Sequence, residues 1–224
     1  VDSGVNIQQW TWDFGDGSTS NDSLPAHLYD LAGNYNVMLT VEDDMGCVEA
    51  MQKNTYVYAL PVTSFSDSTS CNNDSTYFTD LSLDPGGAIQ NWYWDFGDTA
   101  SGANNYSNLQ NPSHYYATNG SYTVTLTTTN TNGCVNSFSK TILVSPNPVA
   151  NFDADTACLN TPTQFTDLST IFVGQIVDWY WEFGDGDTSI VQNPTHTYTS
   201  AGTYLVNLIV ENTQGCSDTS SQYV

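Results

Sequence analysis

The sequence predicts an all-β chain of tandem antiparallel β-sandwiches, and three observations carry that reading. A stretch of eight residues occurs three times: Trp10-Thr11-Trp12-Asp13-Phe14-Gly15-Asp16-Gly17, Trp92-Tyr93-Trp94-Asp95-Phe96-Gly97-Asp98-Thr99 and Trp179-Tyr180-Trp181-Glu182-Phe183-Gly184-Asp185-Gly186. The second Trp of successive copies is separated by 82 and then 87 residues, the spacing of one domain type repeated in tandem. No stretch has helical periodicity of useful length, whereas about seven short strand-like segments with turn signals fill each repeat. A Trp strand, a Tyr just before a Gly turn and a pair of cysteines per complete repeat suit sandwiches of immunoglobulin-like type.

The elements follow in order. In each copy the two Trp and the Phe fall at every second position, so they share one face of a strand. The Gly-Asp that follows is turn chemistry. The second copy has Thr99 where the others have Gly17 and Gly186, which predicts a different turn there. Copies two and three open with Pro61-Val62-Thr63-Ser64-Phe65 and Pro148-Val149-Ala150-Asn151-Phe152, then continue with Phe78-Thr79-Asp80-Leu81-Ser82 and Phe165-Thr166-Asp167-Leu168-Ser169. The first copy has no counterpart of either. The domains are therefore expected at 1–59 (partial, its first strands missing), 60–146 and 147–224.

After the Trp strand a polar loop ends in Pro25-Ala26-His27-Leu28-Tyr29, Pro112-Ser113-His114-Tyr115-Tyr116 or Pro194-Thr195-His196-Thr197-Tyr198. A Gly turn follows, at Gly33, Gly120 or Gly202. Next comes a strand of period two, on which Tyr35, Val37, Leu39 and Val41 share a face, as do Tyr122, Val124 and Leu126, and Tyr204, Val206, Leu208 and Val210. A Gly-Cys turn leads to the last strand. The recurring structural motif is thus Trp12, Phe14, Asp16 and Tyr29; Trp94, Phe96, Asp98 and Tyr116; Trp181, Phe183, Asp185 and Tyr198. The joints Ala59-Leu60-Pro61 and Ser145-Pro146-Asn147-Pro148 are short and contain Pro, so the domains are expected to form a semi-rigid beaded rod.

Charge bounds the function. Lys53 and Lys140 are the only basic residues against 24 acidic ones, a net charge of -22. That balance argues against nucleic acid, whose phosphates need Lys and Arg, and against anionic membranes. No run of about 18 apolar residues is present to insert into a bilayer. Val1-Asp2-Ser3-Gly4 lacks the basic and apolar regions of a signal peptide. Cys47, Cys134 and Cys216 each follow a Gly, and Cys71 and Cys158 sit early in copies two and three. The economical pairing is Cys71–Cys134 and Cys158–Cys216, one bridge inside each complete domain, with the partner of Cys47 lying upstream. A zinc site is the alternative, but no Cys-x-x-Cys spacing supports it. Disulfides imply an extracytoplasmic setting.

Little here reads as chemistry. The pairs Asp13/Asp16, Asp95/Asp98 and Glu182/Asp185 could be taken for acid/base carboxylates. They recur in every copy, however, and are better read as turn caps, so no catalytic residue is expected. His27, His114 and His196 occupy one equivalent position and read as structural. No cofactor is expected. Calcium is the one ion the composition favours, with Glu42-Asp43-Asp44 and Asp185-Gly186-Asp187 as candidate ligands, against a plain solvated acidic face. Asp-Ser/Thr-apolar triplets such as Asp22-Ser23-Leu24 and Asp155-Thr156-Ala157 resemble an O-glycosylation pattern of bacterial surface proteins, a match that chance supplies readily in this composition.

The ordered set Trp-Asp-Phe-Gly-Asp-Gly, Pro-x-His-x-Tyr and Gly-x-Tyr-x-Val-x-Leu resembles the PKD domain, the polycystic-kidney-disease type repeat, over essentially the whole chain. The resemblance implies immunoglobulin-like sandwiches outside the cell that are noncatalytic. It further implies a stalk or spacer in a cell-surface adhesin or filament-like surface protein, similar to gliding and adhesion proteins of the type IX secretion pathway. Expected partners are neighbouring repeats of the same chain, surface polysaccharide and other surface proteins. Two other readings remain: an accessory module that binds substrate or glycan for a secreted hydrolase, through Tyr93, Tyr106, Tyr115 and Tyr180, and a calcium-assisted self-assembly module.

Overall fold

A computed structural model describes residues 6–68, 70–72, 74–156 and 158–224. The described residues are nearly all strand and turn, with every named strand pairing antiparallel. In the first repeat, β1 (Ile7–Asp13), β2 (Thr19–Ser20), β3 (Gly33–Asp43) and β4 (Val48–Val57) form one sheet in the order β2-β1-β3-β4. The second repeat supplies β5 (Phe65–Asp67), β6 (Ser75–Asp80), β7 (Ile89–Asp95), β8 (Tyr106–Ser107), β9 (Ser113–Tyr115), β10 (Gly120–Asn130) and β11 (Val135–Val144). These make two sheets, β5-β6-β9 and β8-β7-β10-β11. The third supplies β12 (Phe152–Ala154), β13 (Pro162–Asp167), β14 (Ile176–Glu182), β15 (Thr188–Ser189), β16 (Thr195–Thr197), β17 (Leu205–Asn212) and β18 (Ser217–Tyr223). Its sheets, β12-β13-β16 and β15-β14-β17-β18, have the same order.

The alternation read from the sequence places the cores. Trp94, Val124 and Leu126 are completely buried, together with Phe65, Phe78, Phe96, Tyr116, Ile142 and Val144. Trp181, Val206, Leu208 and Val210 are likewise buried in the third repeat, with Phe152, Phe165, Phe183 and Tyr198. In the first repeat the equivalent Trp12, Val37, Leu39 and Val41 are only half-buried. That repeat contributes a single sheet among the described residues, so nothing there covers the inner face as β5 and β6 do in the second.

The chain divides into two compact units. One comprises residues up to Thr63 with Ser82–Asn91 and Thr128–Asn136; the other comprises Ser64–Leu81, Trp92–Thr127 and Ser137–Val224. Both aromatic cores belong to the second unit.

The turn after the Trp strand requires glycine. Gly97 has φ +71°, and a Cβ there would lie 2.5 Å from the Thr123 carbonyl oxygen. Gly184 repeats this with φ +83° and 2.6 Å to the Leu205 carbonyl. In the second repeat Thr99 opens a 3-10 segment, Thr99–Asn105, in place of the Gly-Asp-Gly turn. The buried Asn105 ties it down, its Oδ1 accepting from the Asp98 N–H and its Nδ2 donating to Asp95.

Candidate functional site

Each repeat builds the same corner from the motif residues. The Trp strand delivers Phe14, Phe96 or Phe183, and the Pro-x-His-x-Tyr segment runs past it. His27, His114 and His196 stack on these Phe rings at 4.0, 4.5 and 4.3 Å between centroids. Tyr29, Tyr116 and Tyr198 meet the His rings edge-on and donate to the carbonyls of Phe14, Phe96 and Phe183 at 3.0, 3.0 and 3.1 Å. The His Nε2 atoms pair with Asp16, Asp98 and Asp185 at 2.7, 3.1 and 2.7 Å.

The carboxylates cap turns. Asp13 and Asp95 each accept from the Gly two residues on, both at 2.9 Å. The other oxygen of Asp16 accepts from the Ser18 N–H, and that of Asp185 from the Asp187 N–H. The His27 hydrogen bond and the Ser18 N–H hold the Asp16 carboxyl below its ordinary range. Burial pushes Asp185 up, but the bonds from His196 and the Asp187 N–H outweigh it, and its pKa is lowered. Burial raises the phenols of Tyr116 and Tyr198, the latter to about 12 with a further push from Asp185. Carboxylates engaged in this way by backbone N–H and imidazole stiffen a turn.

The two calcium candidates fare differently. Asp43 turns inward on its own hairpin, its Oδ1 accepting from the N–H groups of Met45 and Cys47. Among the described residues, Asp185, Asp187 and His196 bring one ligand atom each within 4.8 Å of one another. An imidazole beside two carboxylates suits a transition ion better than calcium, which takes oxygen ligands. One of the three contacts is also the His196–Asp185 hydrogen bond itself.

The four tyrosines expected off the core are all exposed. Tyr93 and Tyr106 stack on each other at 5.8 Å and 18°, presenting a flat aromatic pair. Tyr106 and Tyr115 line one open cleft with Ser107 and Asn104, and Tyr180 lines another with Ile190 and Glu211.

The cysteines do not pair as the sequence suggested. The bridge is Cys71–Cys216, between the second and third repeats, while Cys47, Cys134 and Cys158 are free thiols. The expected Cys158–Cys216 and Cys71–Cys134 bridges fail because their members sit at opposite ends of a sandwich. Cys216 directly precedes β18, whereas Cys158 lines a cleft with Tyr223 and Val224 at the strand's other end. Seven extended residues, about 24 Å, separate those ends. Cys134 likewise directly precedes β11, and Cys71 makes a bridge partner of Ser145, just past its end. A disulfide spans Cα atoms only about 4.4–6.8 Å apart.

The Gly-Cys hairpins are clamped to the joints. Asn130 and Asn212, both buried, accept through Oδ1 from the Cys134 and Cys216 N–H groups. Their Nδ2 atoms donate to the carbonyls of Ala59 and Pro146, in the segments that lead into their own repeats. Asn136 adds a bond to the Pro61 carbonyl. These asparagines escaped the sequence reading, although Asn130 and Asn212 continue the inward alternation of their strands. A polar residue at a core position was the signal.

A family model described as PKD domain matches residues 1–59, 58–145 and 145–224. Among curated proteins, the pre-pro-metalloprotease PrtV of Vibrio cholerae is 42% identical over 77 residues, 34% of this chain and 8% of that protein. The collagenase ColA of Bacillus cereus is 48% identical over 42 residues, 19% of this chain and 4% of its own length. The chain thus spans a small fraction of the curated relatives it matches. Among solved structures, the PKD1 domain of Vibrio cholerae PrtV is 38% identical, with 35% of this chain and 94% of that domain covered and a TM-score of 0.33. No helix of the described residues is long and apolar enough to cross a membrane.

Proposed function

Because the chain belongs to the PKD-domain family along its whole length, we propose that it is a noncatalytic extracellular stalk, a segment of a cell-surface adhesin that holds an adhesive or enzymatic part at a distance. The observation that carries this reading is the covalent tie between consecutive repeats, Cys71–Cys216, beside a joint already clamped by Asn212. A stalk needs stiff joints more than it needs a pocket. The repeated corner supports the same view, since its polar groups are engaged within the fold in each copy. High negative charge keeps neighbouring stalks soluble and apart. Small-angle scattering of the oxidised chain with and without Ca²⁺ tests it. An extended particle unaffected by Ca²⁺ is expected. A compact particle overturns the stalk, and growth in mass with Ca²⁺ favours an assembly module instead.

A second reading, an accessory module of a secreted hydrolase, is favoured by the stacked Tyr93–Tyr106 pair and by likeness to parts of a metalloprotease and a collagenase. Aromatic faces bind sugar rings and peptide planes without charge. Retention of the chain on insoluble polysaccharide or collagen, lost when Tyr93, Tyr106, Tyr115 and Tyr180 are changed to Ala, is the expected outcome under that reading. No retention removes it.

A further inference from the structure

We infer that Cys71–Cys216 is one unit of a repeating inter-repeat disulfide ladder, and that the free thiols take the corresponding partners in neighbouring repeats of the same kind. The inference rests on the stalk reading and specifies how its joints are fixed.

Two cysteine positions recur in the chain, and each belongs to one end of a repeat. Cys71 lies before β6, in bridge contact with Ser145, where the second repeat hands over to the third. Cys158 is its counterpart before β13, beside Tyr223 and Val224 at the outgoing end of the third repeat. The Gly-Cys cysteines lie at the incoming end. Asn212 fixes the Cys216 hairpin to Pro146, and Asn130 fixes the Cys134 hairpin to Ala59 in the same way. Gly46, Gly133 and Gly215 have φ of +79, +80 and +80°, so all three Gly-Cys hairpins share one backbone shape. The observed bridge joins the outgoing cysteine of one repeat to the incoming cysteine of the next. The same rule leaves Cys158 for the Gly-Cys cysteine of a following repeat. It leaves Cys47 and Cys134 for outgoing cysteines of preceding ones. Those are the three thiols found free. Forming each bond joins two thiols, and their two protons and two electrons pass to a disulfide oxidant, which leaves as a dithiol.

Non-reducing peptide mapping tests the ladder, with cleavage at Asp and Glu because the chain has only two Lys. In the chain as it stands, a Cys71–Cys216 peptide and three alkylatable thiols are expected. Cys71–Cys134 and Cys158–Cys216 peptides with one free thiol overturn the inference. A second chain carries residues 145–224 again after Val224, with Thr213→Ser in the added copy to mark its Cys216 peptide, which runs from Asn212 to Asp218, by mass. Cys158 is then expected to pair with the marked Cys216 peptide and to become resistant to alkylation. Cys158 that stays alkylatable, or pairs with the unmarked peptide, overturns the ladder. Scattering on the same samples separates the two readings, since an extended particle with within-repeat bridges would remove the ladder and keep the stalk.

Discussion

Under load, the Cys71–Cys216 bridge should hide most of two domains from extension. Its members are 145 residues apart in sequence, so the bond closes a loop that holds nearly all of the second and third repeats. At about 3.4 Å per residue, about 490 Å of chain cannot be drawn out while it is intact. In the chain-entropy account a loop of that length also stabilises the folded state by about 5 kcal/mol. The perturbation is Cys71→Ser in otherwise oxidised protein, and the assay is single-molecule force extension with handles at both ends. Wild type should stop lengthening about 490 Å short of the substituted chain, and reduction should bring the two to the same length. The competing within-repeat bridge, Cys71 to Cys134, locks only about 60 residues, so its loss would add about 210 Å. A gain of that smaller size, or none, refutes the reasoning.

Further outcomes follow from the geometry. Asn212→Asp keeps the acceptor for the Cys216 N–H but sets a buried carboxylate against the Pro146 carbonyl, so it should cost about 2 kcal/mol or more in chemical denaturation. Asp167 is pushed up by burial but held lower overall by bonds from Ser169, Gln192 and Trp179. Asp167→Asn should cost about 1 kcal/mol at pH 7 after solvent screening. Because the folded pKa is depressed, that difference should begin to shrink as pH falls below the unfolded value of about 3.9 and be lost as pH falls through the lower folded value, which melts from pH 6 to 2.5 will check. Gly97→Ala should destabilise by about 2 kcal/mol or more, since its Cβ meets the Thr123 backbone at 2.5 Å. Gly186→Ala, with φ +105° and nothing within 4 Å, should cost about 1 kcal/mol of backbone strain in the same thermal-unfolding assay. Tyr198, raised to about 12 by burial first and Asp185 second, contributes stability present below pH 10 and lost as pH rises toward 12. Ultraviolet titration should show it ionising after the exposed tyrosines, and Tyr198→Phe should take one phenol out of that late phase while Tyr116, also raised by burial, stays in it.

Most of the fold was legible because period-two alternation is a local property. Trp94, Val124 and Leu126 announce their face by spacing alone, and the structure buries all three completely. The triplicated motif supplied the repeat, and Thr99 marked the one turn built differently. What alternation cannot show is the clamp at each joint. Asn130 and Asn212 stand on the buried face of their strands, where period two calls for an apolar side chain. Only the backbone of the joint, close in space and 71 and 66 residues away in sequence, explains them. The first repeat has Asp43 at the same place, which keeps the turn acceptor but has no N–H to give. Side-chain chemistry at one position therefore distinguishes a hairpin that can clamp a preceding segment from one that cannot.

The cysteine pairing is also written in the sequence, in the number of strands that separate the cysteines. Pairing within a repeat follows from counting cysteines; pairing between repeats follows from counting strands. In an antiparallel sandwich each turn reverses the chain's direction between the two ends. The turn after the first strand of a repeat, which carries Cys71, lies at the outgoing end. β10 returns the chain to the incoming end, and its hairpin to β11 places Cys134 there. Two cysteines of one repeat are thus a strand's length apart, while an outgoing and an incoming cysteine of consecutive repeats meet at the joint. The Cys71–Cys216 Cα separation of 5.7 Å is what that parity requires. A tandem array whose cysteines occupy turns of opposite parity is built to be linked from repeat to repeat, and this follows from strand order before any side chain is placed.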